Sequence, residues 1–293
     1  MNPWIEAMRP RTLPVSVAGV LAGTACAIIY GLQSLWPAVC CLLFALLAQV
    51  ASNFANEYFD YRAGLDRKGR AGFRRGVTEG DISPAAMRRA TYLTLLLAAL
   101  PGCALIWWGG WWLIAVGILV GIFALAYSAG PYPLSHHGLG DVAVVVFFGL
   151  VPVGFTAWLA TGSTAVIPLA LCIGAGVGLL AANVLIVNNY RDMDDDRAVG
   201  KHTTVVIFGR KAMGRVYLAC SITGLLLLCS PILWGHCWMA LPAIMIIPAI
   251  RNRRRLISHS GSEHNDDLRR TALLLLRATL LLLAESIVAA TIS

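Results

Sequence analysis

The sequence predicts an all-α integral membrane protein, folded as a multihelical bundle of about nine transmembrane helices. Of its 293 residues, 58% are hydrophobic and 13% are charged, whereas soluble domains are typically about 45–50% apolar and about 25% charged. Residues 13–56, 90–140, 142–190 and 216–250 contain no Asp, Glu, Lys or Arg. Each stretch is long enough for about two spans of roughly 20 residues. Helices are expected because lipid offers no partner to backbone polar groups.

Glycine and proline divide these apolar stretches into individual helices. Breaks are expected at Gly31–Pro37, Gly109–Gly110, Gly130–Pro133, Gly162–Ser163 and Gly235–His236. The spans predicted between them are 13–31, 36–57, 88–108, 111–128, 139–160, 164–190, 213–233, 237–250 and 271–291. Before the third span, Ser83 fits an N-cap and Pro84 the first helical position.

The charges predict the orientation of the bundle. Basic residues cluster at 9–11, 62–89, 191–215 and 251–270, and only Arg277 lies inside a span. Such clusters mark cytoplasmic loops, and nine spans with a cytoplasmic amino terminus return every cluster to the cytoplasm. Eight spans would break this parity. The net charge of +8 therefore indicates contact with anionic headgroups or substrates and not with nucleic acid.

The chain is predicted to form one transmembrane domain, residues 1–293, with its polar chemistry in the cytoplasmic stretches 58–87 and 191–212. No cleavable signal peptide is evident at the amino terminus. All eight cysteines lie in apolar runs and none forms a CxxC pair. Neither a zinc site nor a disulfide framework is expected.

Each cytoplasmic stretch begins with a similar acidic motif at the end of a span. The first motif is Asn56-Glu57-Tyr58-Phe59-Asp60 with Asp66, and the second is Asn188-Asn189-Tyr190-Arg191-Asp192 with Asp196. Spacings of four residues place each Asn and its Asp on one helical stripe. If the ends of spans two and six adjoin, the stripes face each other across a cleft. Carboxylates held close together need a cation between them, and oxygen ligands favour Mg²⁺.

Basic residues next to the motifs predict a phosphate-binding site. Arg70 and Arg75 follow the first motif and Lys201 follows the second, and such cations suit phosphate groups. The alternative is a pair of solvated acidic loops with surface salt bridges worth about 0–1 kcal/mol each. The matched spacing at two helix ends favours function. Asp194 and Asp195 lie off the stripe and are expected to be solvated.

These motifs resemble those of the UbiA-type membrane prenyltransferases, which carry Asn-Asp-x-x-Asp with a following Asp, and Asp-x-x-x-Asp. Within that family the chain is most similar to the members that prenylate 1,4-dihydroxy-2-naphthoate in menaquinone synthesis. The resemblance covers spans one to seven, and the last two spans match only in hydrophobicity. It rests on the two acidic motifs and on residues 8–14, 70–76, 138–141 and 200–201. Glu57 departs from the usual Asp, and Phe73 from a common Pro.

The resemblance implies a bundle enclosing a cavity open to the cytoplasmic side of the bacterial inner membrane. It implies that Mg²⁺ is held by Asp60, Asp66, Asp192 and Asp196, with Asn56, and that these aspartates are catalytic. The residues implied to bind substrate are Asn56, Arg70, Arg75, Asn188 and Lys201. Arg9 is a further candidate, since either Arg9 or Arg11 could meet the acceptor carboxylate. The alternative is that both arginines only orient the first span. The implied reaction joins a polyprenyl diphosphate to 1,4-dihydroxy-2-naphthoate, with loss of CO₂ and diphosphate, and gives demethylmenaquinone.

Three alternatives stay open at the level of sequence. Another aromatic acceptor, such as 4-hydroxybenzoate or a haem, would use the same motifs. A cation-coupled transporter would use the acidic cleft as its ion site, although transporter sites usually lie near the bilayer midplane and these carboxylates lie at span ends. A non-catalytic membrane scaffold would leave the paired acidic stripes without a purpose.

Overall fold

The computed structural model describes residues 2–69, 72–236 and 238–292, and within them all regular secondary structure is helical. The α-helices are α1 Pro3–Ala7, α2 Pro14–Ile29, α3 Trp36–Arg62, α4 Gly76–Glu79, α5 Pro84–Ala104, α6 Ile106–Gly109, α7 Leu113–Ala126, α8 Gly140–Val144, α9 Val151–Thr161, α10 Ile167–Ala198, α11 Thr204–Leu228, α12 Ile246–Ser258 and α13 His264–Ile292. A π-helical turn, Val145–Leu150, joins α8 to α9.

The predicted class of all-helical membrane protein is confirmed. In the described part of the chain, six helical segments are long and apolar enough to cross a membrane, namely Trp36–Arg62, Pro84–Gly109, Gly140–Thr161, Thr164–Ala198, Thr204–Trp234 and Gly261–Thr291. Two shorter apolar helices, α2 and α7, accompany them. The number of nine crossings and the side on which the cavity opens stay predictions.

The predicted eighth span, 237–250, has a different form in the structure. A 3₁₀ turn at Leu241–Met245 leads into α12, whose second half carries Arg251 to Arg255. Fourteen residues of α-helix would extend only about 21 Å, which is short of a hydrocarbon core of about 30 Å. The last residues of this apolar run thus begin an amphipathic helix that ends in arginines.

The helices that carry the acidic motifs continue beyond the predicted spans, as the helical stripes of the two motifs predict. α3 continues to Arg62, and α10 continues through the second motif to Ala198, so much of the stretch 191–212 is helical. After α3, Gly64 has the left-handed φ of 69° and the chain turns back. The expected cap of α5 is confirmed, since Ser83 Oγ accepts a hydrogen bond from Ala86 N at 3.2 Å.

The centre of the bundle is α10, which packs against α11, α13, α9 and α2. α2 also packs along α13, so the first and last long helices close this side of the bundle. On the other side, α3 packs against α5 and α7. A cavity lies between the two groups, with walls from α3, α7, α8, α9 and α10.

Glycines allow the segment α8–α9 to approach α10 at backbone contact. A Cβ built on Gly149 would lie 2.3 Å from Gly174 O and 2.6 Å from Gly178 Cα. Both neighbours are backbone atoms of α10 that no side-chain rotation can move. Small residues give membrane helices this close contact, and here the contact fixes one wall of the cavity relative to α10.

We therefore expect Gly149→Ala to destabilise the protein by about 1–3 kcal/mol, the usual cost of overpacking a filled interior. Gly154→Ala on the same segment is the matched control, because no heavy atom lies within 4 Å of its added Cβ. Thermal melting of the purified protein in detergent measures both. Equal melting temperatures for the two variants would contradict the close contact.

Candidate functional site

The cavity has two adjoining chambers. The polar chamber is lined by the amides Asn56 and Asn188 and by the charged residues Arg9, Asp60, Arg75, Asp141, Asp192, Asp196 and Lys201. The apolar chamber is lined largely by aliphatic and aromatic side chains, including Phe44, Leu105, Leu113, Phe123, Phe147 and Phe155. Both chambers include Gln49, Ser52, Tyr127, Val144 and Phe148 in their walls. A charged compartment thus lies next to a hydrocarbon-like one and shares part of its wall.

The two acidic motifs face this one polar chamber from different helices. Asp60 lies near the end of α3, and Asp192 and Asp196 lie near the end of α10. Beyond α10 the chain turns through Gly200, with φ 75°. There the Lys201 backbone N–H donates to Asp196 O at 2.8 Å. Lys201 Nζ reaches across to Asp60 Oδ2 at 2.8 Å, so the ends of α3 and α10 adjoin.

Asp60 is fully buried and has several hydrogen-bond partners. Besides Lys201, Asn56 Nδ2 donates to its Oδ2 at 3.2 Å, and His136 Nε2 lies 3.4 Å from its Oδ1. Asn56 Nδ2 also donates to Ser128 Oγ at 2.9 Å. A buried carboxylate is tolerated only when it is paired and hydrogen-bonded, and here a lysine supplies the counter-charge from the second motif's side of the chamber.

Asp192 is held by its own neighbour on α10. Arg191 Nε donates to Asp192 Oδ1 at 2.7 Å and its Nη2 donates to Oδ2 at 2.8 Å, a bidentate pair of the strong, charge-assisted kind. The same guanidinium donates to Asn188 Oδ1 and to Asn265 Oδ1 of α13, each at 2.8 Å. Arg191 thus ties the second motif to the last helix. In the sequence, Arg191 stands out only as a basic residue within the second motif.

Asp66 lies behind Arg75, outside the set of described residues that line the polar chamber. Its buried carboxylate is 3.3 Å from Arg75 Nε, and Arg75 Nη1 donates to Asn56 Oδ1 at 3.1 Å. Arg75 therefore connects Asp66 to the first motif. Arg70, the other predicted phosphate ligand on this loop, lies outside the described residues.

The departure at Glu57 has a structural explanation. Its buried carboxylate accepts a hydrogen bond from Val77 N at 2.9 Å, in the first turn of α4, where backbone N–H groups have no helical partner. The extra methylene of Glu relative to Asp extends its reach toward α4. Glu57 fixes the short helix that follows Arg75 and does not line the polar chamber.

Phe73, the second departure, lies between two guanidinium groups. Its ring centre is 5.6 Å from Arg9 Cζ and 5.5 Å from Arg191 Cζ, within the range of cation–π attraction. Arg9 also donates from Nη2 to Asn56 Oδ1. With φ 54°, Arg9 is the one non-glycine residue of positive φ in the described ranges. Such strain persists where the surroundings impose it, often at functional sites.

The carboxylate oxygens of the polar chamber are chemically suited to Mg²⁺, but they are not arranged around one metal position. Asp60, Asp192 and Asp196 offer the oxygen ligands that hard cations take. Within residues 2–69, 72–236 and 238–292, no three acidic, histidine or cysteine side chains converge closely enough to hold a metal ion. Lys201 and Arg191 neutralise Asp60 and Asp192 instead. Metal binding would therefore require these two cations to exchange carboxylate for another anion.

Charged residues off the two stripes form surface pairs, as expected for solvated positions. Asp194 accepts from Arg210 Nη2 at 2.9 Å, and Asp195 contacts Arg67. In the last helix, Glu285 accepts from Leu241 N at 2.8 Å and so satisfies the 3₁₀ turn at Leu241–Met245.

Three residues outside the acidic motifs contact them or line the polar chamber. His136 contacts Asp60 and Ser128 contacts Asn56. Asp141 lines the chamber, and its Oδ2 accepts from Thr204 Oγ1 at 2.6 Å. In the sequence, Asp141 stands out at the start of the fifth predicted span, where a helix-cap role and acceptor contact are equally open, and His136 is a loop histidine that could shuttle protons. Nothing in the sequence marks Ser128.

Comparison with known proteins gives a consistent result. A family model described as the UbiA prenyltransferase family matches residues 16–277 of this chain. A protein of Escherichia coli (strain K12) named 1,4-dihydroxy-2-naphthoate octaprenyltransferase is 38% identical over 227 residues, which are 75% of this chain and 73% of that protein. A protein of the same name from Haemophilus influenzae is 34% identical over 264 residues, 85% and 83% of the two chains.

Solved structures share the fold at low sequence identity. A UbiA homolog from Aeropyrum pernix K1, in its apo form, superposes with a TM-score of 0.69 at 16% identity, covering 96% of this chain and 98% of that one. A UbiA homolog from Archaeoglobus fulgidus, bound to GPP and Mg²⁺, gives 0.66 at 15% identity, covering 96% and 99%.

Proposed function

This chain belongs to the UbiA prenyltransferase family, and from that premise we propose that it transfers a polyprenyl group from polyprenyl diphosphate to 1,4-dihydroxy-2-naphthoate. CO₂ and diphosphate leave, and demethylmenaquinol forms, the hydroquinone form of demethylmenaquinone. The observation that carries the proposal is the meeting of both acidic helix ends in a polar chamber that adjoins an apolar one. Relatives of 34–38% identity that carry the name 1,4-dihydroxy-2-naphthoate octaprenyltransferase support the acceptor.

In this proposal Asp60, Asp192 and Asp196, with Asn56, would hold Mg²⁺ in the polar chamber. Asp66 would join them only if Arg75, which lies between it and the chamber, released its carboxylate. When bound, the metal would neutralise the negative charge that grows on the departing diphosphate. Asn188, Lys201, Arg75 and Arg70 bind the diphosphate. Lys201 and Arg75 line the chamber and are nearly buried, so their charges act in a medium that screens them weakly.

The apolar chamber takes the donor's hydrocarbon tail. Loss of diphosphate from an allylic donor leaves a carbocation that water would capture. The chamber's aliphatic and aromatic walls, including Phe148 and Tyr127 where the two chambers meet, exclude water and offer π faces to the cation. The acceptor ring then attacks the cation from the polar chamber.

Arg9 is proposed to bind the acceptor carboxylate. It lines the polar chamber and is held by Asn56 and the Phe73 ring. Arg9→Gln should raise the acceptor KM by about 10- to 100-fold, because a hydrogen bond to a charged group contributes about 1.5–3 kcal/mol. The donor KM should change much less. Steady-state kinetics test this against Arg11→Gln, whose side chain is exposed. An unchanged acceptor KM would remove the assignment.

The chain is proposed to be a single domain, residues 1–293, in the bacterial inner membrane. Nine crossings would require α2, α7 and the 3₁₀ turn at Leu241–Met245 together with α12 to cross as well, and would place the amino terminus and polar chamber on the cytoplasmic side. The clusters of basic residues at 62–89 and 191–215 support this orientation. Labelling of single introduced cysteines from each side of sealed vesicles tests it.

Mass spectrometry of the lipid product tests the reaction. Purified protein is incubated with Mg²⁺, a polyprenyl diphosphate and an equimolar mixture of 1,4-dihydroxy-2-naphthoate and 4-hydroxybenzoate. We expect prenylated, decarboxylated naphthalenediol as the main product. Prenylated 4-hydroxybenzoate would instead assign the other acceptor, and no prenylated product together with cation-driven solute uptake in vesicles would assign a transporter.

A further inference from the structure

Two glycines line the apolar chamber, Gly102 and Gly117, and a Cβ on Gly102 would already lie 3.2 Å from Phe44. Gly117 lies in the first half of α7. A Cβ built on it would have no heavy atom within 4 Å. Glycine in a helix interior is about 1 kcal/mol less favourable than alanine. At this position the missing side chain leaves open space beside the helix, on the side that faces the chamber.

The distance from the polar chamber to Gly117 is set by the helix itself. Tyr127 lines both chambers and directly follows the carboxyl end of α7. Gly117 precedes it by ten residues, which is about 15 Å along the helix axis. Leu113 and Leu159 lie further along the same chamber, so a tail that passes Gly117 still has room to extend.

We propose that Gly117 is a specificity-determining residue for donor chain length, because its missing side chain leaves the passage through which long prenyl tails extend. This inference rests on the proposed function, since it assigns the apolar chamber to the donor tail. Short tails end before Gly117 and do not depend on it. Long tails pass it and need the open space.

Bond lengths give the donor size at which the dependence begins. At about 1.52 Å per C–C bond, the three chain bonds of a dimethylallyl group span at most about 5 Å, and the seven of a geranyl group at most about 11 Å. The fifteen chain bonds of a geranylgeranyl group span up to about 23 Å. Measured against about 15 Å to Gly117, the first two tails stop short and the third passes it.

Gly117→Leu is the test, with Gly121→Leu as its matched control. Gly121 lies one turn away on α7, its added Cβ also meets no heavy atom within 4 Å, and it does not line the chamber. Leucine favours helix at both positions, so both variants are expected to fold. Kcat/KM for prenyl transfer is measured with dimethylallyl, geranyl and geranylgeranyl diphosphate.

The ratio of geranylgeranyl to geranyl activity should fall at least about tenfold in Gly117→Leu, because added volume is costly in a filled passage. Gly117→Ala should give an intermediate ratio, and Gly121→Leu the wild-type ratio. An unchanged ratio in Gly117→Leu, or an equal fall in Gly121→Leu, overturns the assignment. Failure of the proposed function looks different, because the wild-type protein would then transfer no prenyl group from any donor.

Discussion

Replacing Asp60 or Asp192 with asparagine is expected to reduce prenyl transfer by about 10²–10³-fold or more, the loss typical of removing a preorganised charge from an active site. Asparagine keeps the shape of the side chain and one carbonyl oxygen, and it removes the negative charge. Because the two aspartates lie on different helices and face one chamber, either loss should disable the same metal site. The double variant should therefore be little worse than the worse single variant.

Asp194→Asn is the control for this prediction. It lies on α10 two residues from Asp192, but its side chain is 70% exposed and pairs with Arg210 at the surface, so activity should stay close to wild type. Size-exclusion chromatography and thermal melting show whether each variant is folded. Near-normal turnover in folded Asp60→Asn or Asp192→Asn would remove the metal-site proposal.

Replacing Lys201 with glutamine is expected to give the second-largest effect, with two changes of opposite sign. Lys201 Nζ is 2.8 Å from Asp60 Oδ2, so it competes with a metal ion for that carboxylate. Without the competing ammonium group, the protein should bind Mg²⁺ more tightly, and the site should fill at a lower Mg²⁺ concentration. Kcat/KM for the donor should fall about 10²-fold, since a buried phosphate-binding cation is lost.

Titration with Mn²⁺, followed by its electron paramagnetic resonance signal, measures the metal affinity independently of turnover. Lys211→Gln is the control, because Lys211 is exposed on α11 and should change neither quantity. Removing Lys201 also leaves the buried negative charge of Asp60 with less positive charge to balance it. The thermal stability of the variant is therefore compared with and without metal. Weaker Mn²⁺ binding in Lys201→Gln would show that the lysine does not compete at Asp60.

Local spacing predicted the parts of the site that a single helix determines. The four-residue steps from Asn56 to Asp60 and from Asn188 to Asp192 lie on continuous helices in the structure. The cap at Ser83 and the turn at Gly64 also follow from local chemistry. These features depend on neighbours within one turn, which the sequence shows directly.

The sequence did not predict the features that depend on pairing between distant segments. The spacing of charges does not show that Arg75 lies between Asp66 and the chamber. Nor does it show that Arg191 donates hydrogen bonds to both Asp192 and Asn265. Glu57 lies in the first motif in place of the usual Asp, but its contact with Val77 gives it a structural role. Which carboxylates face the chamber is decided by tertiary packing.

The form of the predicted eighth span also depends on a distant residue. Apolar length alone predicted a span at 237–250, whereas the structure has a 3₁₀ turn held by Glu285 and then α12. The carboxylate that stabilises this turn lies 44 residues away in the sequence. A window of hydrophobicity carries no information about such a partner.

The central claim is that the acidic ends of α3 and α10 together bind a divalent metal and a prenyl diphosphate. Calorimetric titration with geranyl thiolodiphosphate, an unreactive donor analogue, tests it most directly when run with and without Mg²⁺. The wild-type protein should bind the analogue at least tenfold more tightly with Mg²⁺, and both Asp60→Asn and Asp192→Asn should lose that enhancement. Equal affinity with and without the metal, or an enhancement that survives in either folded variant, would contradict the account.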